Sequence, residues 1–216
     1  MKIILILSDK LDFDKSEICN SDSFSTLQQK QKETSIINKT VGEKTNAKYH
    51  FYASTHPSSL ETIQKLFGKQ NITIEPLLDE IKFSASSNKE ASYESYIKEA
   101  VKRWKKSETL QKEVTAECES LIDQLEELDE DTVLVTHLYK METLLSTLKK
   151  RKYLIEKPRL FGIQPLDRIR ASKKNMHCGG CKHNCLLTNP KCDIGKDKAK
   201  IRGIKIDESA NIASRL

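Results

Sequence analysis

Lys2-Ile-Ile-Leu-Ile-Leu7 and Thr132-Val-Leu-Val-Thr136 are the two stretches of this 216-residue chain that decide the fold. The first is an unbroken run of β-branched residues and leucines, which is typical of a strand buried on both faces of a sheet. The second has the same character, and the amphipathic pattern with a basic end that follows it, from Tyr139 to Lys152, predicts a helix. A strand followed by a helix is the unit of α/β folds with a parallel sheet.

The sequence between these stretches predicts further strands and helices. Tyr49 to Ala53 and Asn71 to Leu77 have the composition of short strands, and a serine cap and a terminal glycine predict a helix from Ser58 to Gly68. Residues 92–128 predict two amphipathic helices, and residues 24–45 carry a weaker helical pattern. This alternation predicts a three-layer α/β/α domain with a mostly parallel central sheet, whose functional residues gather at the strand ends.

The composition is typical of a globular protein with a packed core, because 37% of the residues are hydrophobic and 31% are charged. The apolar run near the N-terminus, Ile3 to Leu7, is too short for a signal peptide or a membrane span. We therefore expect a cytoplasmic protein without membrane association. In a reducing cytosol, clustered cysteines indicate metal binding rather than disulfides.

Charge is distributed unevenly along the chain. Residues 149–205 contain 17 Lys and Arg against 4 Asp and Glu, whereas residues 1–148 contain 19 against 25. A basic segment attracts polyanions such as nucleic acid or a phosphorylated partner, although a solvated, flexible tail has the same composition. Since no aromatic residue follows Phe161, any binding of nucleic acid would be nonspecific and strongly salt dependent.

Four cysteines in the basic segment follow the spacing Cys-x2-Cys-x3-Cys-x6-Cys. They are Cys178, Cys181, Cys185 and Cys192. Four thiolates satisfy zinc in a tetrahedral site and equally satisfy an iron-sulfur cluster, and the sequence leaves both cofactors open. Disulfides or unliganded thiols are the remaining alternative. We expect an α/β domain over residues 1–172 and a basic, irregular metal-binding tail over residues 173–216.

Three further segments lie at or near the ends of predicted strands: Tyr52-Ala-Ser-Thr-His-Pro-Ser-Ser-Leu-Glu-Thr62, Leu77-Leu-Asp-Glu-Ile81 and Val133-Leu-Val-Thr-His137. Together with the first strand and residues 161–170, they resemble the phosphoglycerate-mutase-like branch of the histidine phosphatase superfamily. In that family the first strand ends in Arg-His-Gly, whose histidine is phosphorylated. A second arginine, an acidic Glu and a second His complete the family's site.

The resemblance places Glu80 at the position of the acid and His137 at that of the second histidine. It also places Leu7-Ser8-Asp9 where the family has Arg-His-Gly, and Ser58 where the family has its second arginine. The resemblance therefore implies a pocket that lacks the nucleophile and both phosphate-binding arginines. His56, close to Ser58 in the sequence, is a further candidate for this pocket.

These residues lead to three hypotheses. The first is a catalytically impaired protein with a binding or regulatory role, whose pocket takes a small phosphorylated ligand or another anion. The second is an active, divergent phosphomonoesterase in which Ser8 or Asp9 is the nucleophile and Glu80 and His137 transfer protons. The third is a protein that acts through its C-terminal module, either by binding nucleic acid or as a redox iron-sulfur protein.

Overall fold

A computed structural model describes residues 1–38, 40–42, 48–85, 89–158, 162–173, 178, 185, 187 and 190–201. The chain divides into two compact units. One unit comprises Met1–Arg151 and Ile155–Ala171, and the other comprises Lys152–Leu154 and Ser172–Leu216.

The described residues form an α/β structure. The strands are β1 Lys2–Leu7, β2 Ile18–Cys19, β3 His50–Ala53, β4 Ile72–Ile74, β5 Ala91–Ser92, β6 Thr132–Thr136, β7 Tyr153–Glu156 and β8 Arg168–Lys173. The helices are α1 Ser21–Glu33, α2 Pro57–Phe67, α3 Tyr93–Trp104, α4 Glu108–Leu128, α5 Leu138–Lys150 and α6 Asp193–Ile201, with a short 3-10 helix at Pro76–Leu78. None of the helices in the described ranges is long and apolar enough to cross a membrane.

The central sheet has the strand order β4-β3-β6-β1-β8-β7. The four neighbouring strands β4, β3, β6 and β1 are parallel, and Leu7 at the end of β1 lies opposite Thr136 at the end of β6. The predicted α/β class with a mostly parallel sheet is therefore confirmed. Because parallel strands end at the same edge, the residues that follow β1, β3 and β6 are brought together there.

Strand β6 is buried on both faces, as its continuous apolar run predicts. All five of its residues are buried. Val133 and Val135 belong to a core cluster with Ile63 and Phe67 of α2, while Leu134, which points to the opposite face, is also buried. Helix α2 thus covers one face of the sheet, and its first turn lies at the edge where β3 and β6 end.

Two predicted elements are shorter than the sequence pattern suggested. The strand predicted over residues 71–77 ends at Ile74, because Pro76 begins the 3-10 helix. Among the described residues, the weak helical pattern over residues 24–45 corresponds to α1, which begins at Ser21 and ends at Glu33, because the backbone of Thr34 is extended. Both predictions of element type were correct, and both predicted ends were wrong.

The pattern over residues 92–128 is confirmed as two helices, α3 and α4, separated at Ser107, which caps α4. Tyr93, Tyr96 and Trp104 are core residues, as predicted, and pack in a cluster with Phe24 of α1. This cluster holds α1 and α3 together.

Candidate functional site

His137 lies at the carboxyl edge of the sheet, directly after β6, and its imidazole is enclosed by serine hydroxyls. Its Nδ1 is 3.2 Å from the Oγ of Ser8, which follows β1. Its Nε2 is 2.9 Å from the Oγ of Ser54, which follows β3, and 3.4 Å from the Oγ of Ser59 in α2. Both ring nitrogens therefore have hydroxyl partners, supplied by two strand ends and one helix.

The serines are also linked to each other. Ser54 Oγ and Ser59 Oγ are 2.7 Å apart, and the backbone N–H of His56 donates to Ser54 Oγ at 3.2 Å. Ser54 and Ser59 are fully buried, and Ser8 is 7% exposed. We call Ser8, Ser54, His56, Ser59 and His137 the serine–histidine cluster.

His56 stacks against His137 in this cluster, with ring centroids 4.1 Å apart and planes inclined by 38°. Burial, with a smaller contribution from the neighbouring His56, lowers the pKa of His137 to about 3. Burial also lowers the pKa of His56 to about 4, against the opposing effect of Asp79. Both imidazoles are therefore uncharged at neutral pH.

Glu80 lies at the start of α5 and acts as its cap. Its carboxylate accepts the backbone N–H groups of Ile81 at 2.9 Å, Tyr139 at 3.3 Å and Lys140 at 3.2 Å. Burial raises the pKa of Glu80 to about 7, although these hydrogen bonds and the charge of Lys140 oppose the shift. The two residues that match the family pattern, Glu80 and His137, thus meet at the same helix start.

The cations near the cluster are paired with carboxylates. Lys32 of α1 donates to Asp79 at 2.9 Å, and Thr55 donates to the same carboxylate from its backbone N–H and its hydroxyl, both at 2.7 Å. Although burial raises the pKa of Asp79, these hydrogen bonds hold it below its usual value. Lys65 donates to Asp9 at 2.5 Å. Each lysine is therefore neutralised by its partner.

Among the residues that the structure describes, no Lys or Arg forms a hydrogen bond with the serine–histidine cluster. Ser58, where the resemblance implies an arginine, is fully buried in the first turn of α2. Its hydroxyl has no hydrogen-bond partner in the described part of the chain. Burial of a hydroxyl without a partner is uncommon in native proteins.

Ser8 and Asp9, the two candidate nucleophiles, point to different partners. Ser8 contacts His137, whereas the carboxylate of Asp9 binds Lys65 and its backbone N–H donates to Thr62 Oγ1 at 2.9 Å. Asp9 is therefore held by α2, and Ser8 is the candidate that lies beside an imidazole.

Ser54, Ser59 and Lys32 belong to this site and were not predicted from the sequence. Ser54 follows a predicted strand and could have been found from that position alone. Ser59 lies in the segment Tyr52–Thr62, but the resemblance assigns it no role. Lys32 lies outside every motif and reaches the site only through the packing of α1.

Three of the four predicted metal ligands lie in the described part of the second unit, and Cys181 lies outside the described residues. Cys178 is buried with Leu187 and Ala199, and its backbone N–H donates to the carbonyl of Cys185 at 2.8 Å. Cys192 is exposed and directly precedes α6. None of these three cysteines forms a disulfide with another described cysteine.

Within the described ranges, no three His, Cys, Asp or Glu side chains form a group that could hold a metal. Cys181 lies outside the described residues, so this result does not test a site built from all four cysteines. The four-cysteine site stays a prediction.

No protein-family model and no curated protein matches this chain. Among solved structures, the chain is similar to a mycobacterial glucosyl-3-phosphoglycerate phosphatase in complex with VO3, with 14% sequence identity and a TM-score of 0.47. The match covers 79% of this chain and 92% of the other.

Proposed function

We propose that this chain is a catalytically impaired relative of the histidine phosphatases, with a binding or regulatory role. The observation that carries the proposal is the environment of His137, whose two ring nitrogens are engaged by buried serine hydroxyls. Phosphoryl transfer through an imidazole needs a free nitrogen to attack phosphorus and cations to stabilise the charge on the transferred group. Neither ring nitrogen of His137 is free, and no described Lys or Arg forms a hydrogen bond with the cluster.

The electrostatics of the cluster favour the same proposal. Both imidazoles are uncharged at neutral pH, because burial lowers their pKa values. The nearby lysines, Lys32 and Lys65, form pairs with Asp79 and Asp9. Electrostatic stabilisation is usually the largest catalytic contribution, so a neutral site should transfer phosphoryl groups poorly.

A binding role is supported by the start of helix α2. Helix α2 follows His56, whose side chain does not cap it, whereas the carboxylate of Glu80 already caps α5. The backbone N–H groups and the dipole at a helix N-terminus favour anions. A small phosphorylated ligand is the class that suits this arrangement best.

We also propose that Cys178, Cys181, Cys185 and Cys192 hold zinc or an iron-sulfur cluster. The donor set fits either group, because thiolates are ligands for both. The hydrogen bond from Cys178 N–H to the Cys185 carbonyl supports the proposal, since it joins the backbones of two predicted ligands. Zinc would stabilise the fold of the segment, and a cluster would add electron transfer.

A second candidate function is an active, divergent phosphomonoesterase, and one distance favours it. Ser8 Oγ lies 3.2 Å from His137 Nδ1, which is within the range for a hydroxyl and its general base. In this reaction the Ser8 proton moves to His137 while the Ser8 oxygen attacks phosphorus. Glu80, protonated in part at neutral pH, would donate a proton to the leaving alkoxide, and water would then release phosphate from Ser8.

Two measurements separate the candidates. Hydrolysis of a panel of phosphomonoesters by the purified full-length protein should not exceed the rate of a His137→Ala variant if the site is impaired. If Ser8 is a nucleophile, acid-quenched protein should carry a phosphoryl adduct that a Ser8→Ala variant lacks.

Anaerobic purification followed by zinc, iron and sulfide analysis tests the cysteine site, and the absence of all three would contradict it.

A further inference from the structure

Strand β4 is an edge of the central sheet, because it pairs with β3 on one side and with no described strand on the other. The N–H of Glu75 donates to the carbonyl of Ala53 at 2.8 Å. Since alternate residues of a strand direct their backbone groups to the same neighbour, Thr73 and Glu75 face β3, and the N–H and C=O groups of Ile72 and Ile74 point away from the sheet. No described residue forms a hydrogen bond with these outward-facing groups.

The outer edge of β4 lacks the charged residues and prolines that usually prevent the pairing of an edge strand. Ile72-Thr-Ile74 contains neither, the side chain of Thr73 is exposed, and Ile74 is 45% exposed. Natural proteins usually protect such an edge with charges, proline or a covering element. This edge is therefore available to an added strand, whose backbone would satisfy the four outward-facing groups.

An open cavity of about 560 Å³ lies at the amino end of β3 and β4. Residues 49–51 and 69–73 line it, and Tyr49 and Phe51 form an aromatic wall with ring centroids 6.5 Å apart. The same two residues belong to an apolar cluster with Ile72, which is opposite Phe51 in the register of the strands. The wall therefore lies on the face of the sheet that carries the side chain of Ile72.

Lys69 gives this end of β4 a positive charge. Its side chain is exposed, lines the cavity and forms no ion pair with any described residue. Asn71 and Thr73, which also line the cavity, are uncharged, and the imidazole of His50 pairs with Glu130 at 2.8 Å. An anionic group at the amino end of β4 would therefore be attracted to Lys69.

We propose that β4 binds the C-terminal segment of a partner protein as an added antiparallel strand. An antiparallel strand ends at the amino end of β4, where its terminal carboxylate meets the charge of Lys69. Its last residue pairs with Ile72 and its third-last residue with Ile74, so that four main-chain hydrogen bonds form. Both of its paired side chains then lie on the face of Ile72 and the aromatic wall, which suits apolar residues at the two positions.

The test is fluorescence anisotropy of a labelled peptide, Ser-Gly-Ser-Val-Thr-Phe with a free C-terminal carboxylate, titrated with the full-length protein. The same peptide with a C-terminal amide should bind about three- to fivefold more weakly, because it lacks the charge that pairs with the exposed Lys69. Lys69→Gln should weaken binding of the carboxylate peptide by the same factor and leave binding of the amide peptide unchanged. Lys102→Gln, at an exposed position of α3, is the matched control and should bind both peptides like the wild type.

Methylated peptides test the strand pairing without a change in the protein. In the proposed register, the N–H groups of the phenylalanine and the valine face Ile72 and Ile74, and the N–H of the intervening threonine faces solvent. N-methylation of the phenylalanine should weaken binding about tenfold, since it removes one main-chain hydrogen bond and adds bulk at the edge. N-methylation of the threonine should leave the affinity unchanged.

Three results would overturn the inference: no binding of the carboxylate peptide at millimolar protein, equal affinity for the carboxylate and amide peptides, or equal effects of the two methylations. A dimer of the free protein that Ile74→Lys separates, measured by sedimentation equilibrium, together with no peptide binding, would overturn it as well and assign the edge to a second copy. None of these results bears on the hydrolysis assay, because the amino end of β4 lies at the edge of the sheet opposite the serine–histidine cluster.

Discussion

His137 has a pKa of about 3, because burial first and the neighbouring His56 second disfavour its charged form. In an unfolded chain the same group titrates near pH 6.5. The unfolded state therefore binds more protons than the folded state between about pH 6.5 and pH 3. His56, with a pKa of about 4, behaves in the same way.

We predict that the protein loses stability as the pH falls below 6.5. Each buried imidazole should contribute a loss of about 1.4 kcal/mol per pH unit until its folded pKa is reached. Urea denaturation at pH 7, 6 and 5 measures the free energy of unfolding. His137→Gln should reduce the dependence on pH, and an unchanged slope in this variant would contradict the assignment.

Glu80 has the opposite effect on stability. Its folded pKa of about 7 lies above the unfolded value of 4.5, so its contribution is complete below pH 4.5 and is lost as the pH rises through 7. Glu80→Gln removes this opposing contribution. We predict a steeper loss of stability between pH 6.5 and 4.5 in the variant, again measured with urea, and a shallower loss would be inconsistent with a raised pKa.

Ser54 is the most connected hydroxyl of the serine–histidine cluster, with contacts to Ser59, His137 and the backbone of His56. Ser54→Ala leaves these buried groups short of a partner, and we predict a loss of about 1–3 kcal/mol in the free energy of unfolding. Ser25→Ala, at an exposed position of α1, is the matched control and should change stability by less than about 0.5 kcal/mol. Equal effects of the two changes would argue against the hydrogen-bonded cluster.

At the scale of elements, the sequence predicts the central strands well because burial on both faces leaves a clear pattern. The runs that form β1 and β6 are continuous and apolar, and the predicted bounds of both strands agree with those in the structure. The ends of β4 and α1 were predicted poorly, since they depend on Pro76 and on the backbone conformation of Thr34. The strands β2 and β5 are each two residues long, which is too short to leave a periodic pattern in the sequence.

The candidate site was predicted in part for the same physical reason. Glu80 and His137 were found because they follow predicted elements in a recognisable motif. Ser54 and Ser59, the partners of His137, and Lys32, the partner of Asp79, come from separate elements, and only tertiary packing brings them together. The sequence also could not show that Glu80 caps α5, because that contact joins residues about 60 positions apart in the chain.

Helix α6 provides a prediction for the second unit. A Cβ at Gly195 would lie 2.8 Å from Pro190 Cβ and 3.7 Å from Cys192 Sγ, which is too close to the proline for the helix to keep its position. We predict that Gly195→Ala lowers the zinc or iron retained after purification, measured by elemental analysis. Lys200→Ala, in the last turn of the same helix, should retain the wild-type content, and full retention in Gly195→Ala would contradict the prediction.

At the scale of the whole molecule, the chain combines an acidic N-terminal part with a basic C-terminal part. Residues 149–205 carry 17 Lys and Arg against 4 Asp and Glu. This charge asymmetry predicts a polyanionic partner for the basic part. Retention of the full-length protein on nucleic acid at low salt, lost steeply as salt increases, would support it, and no retention at low salt would exclude it.

We propose that the site at the carboxyl edge of the sheet does not transfer phosphoryl groups. The most direct test is the rate of hydrolysis of a phosphomonoester by the wild-type protein, by His137→Ala and by the control His50→Ala, measured side by side from pH 5 to 8. We predict the same background rate for all three proteins. A wild-type rate that His50→Ala preserves and His137→Ala abolishes would contradict the claim and would make this protein an enzyme.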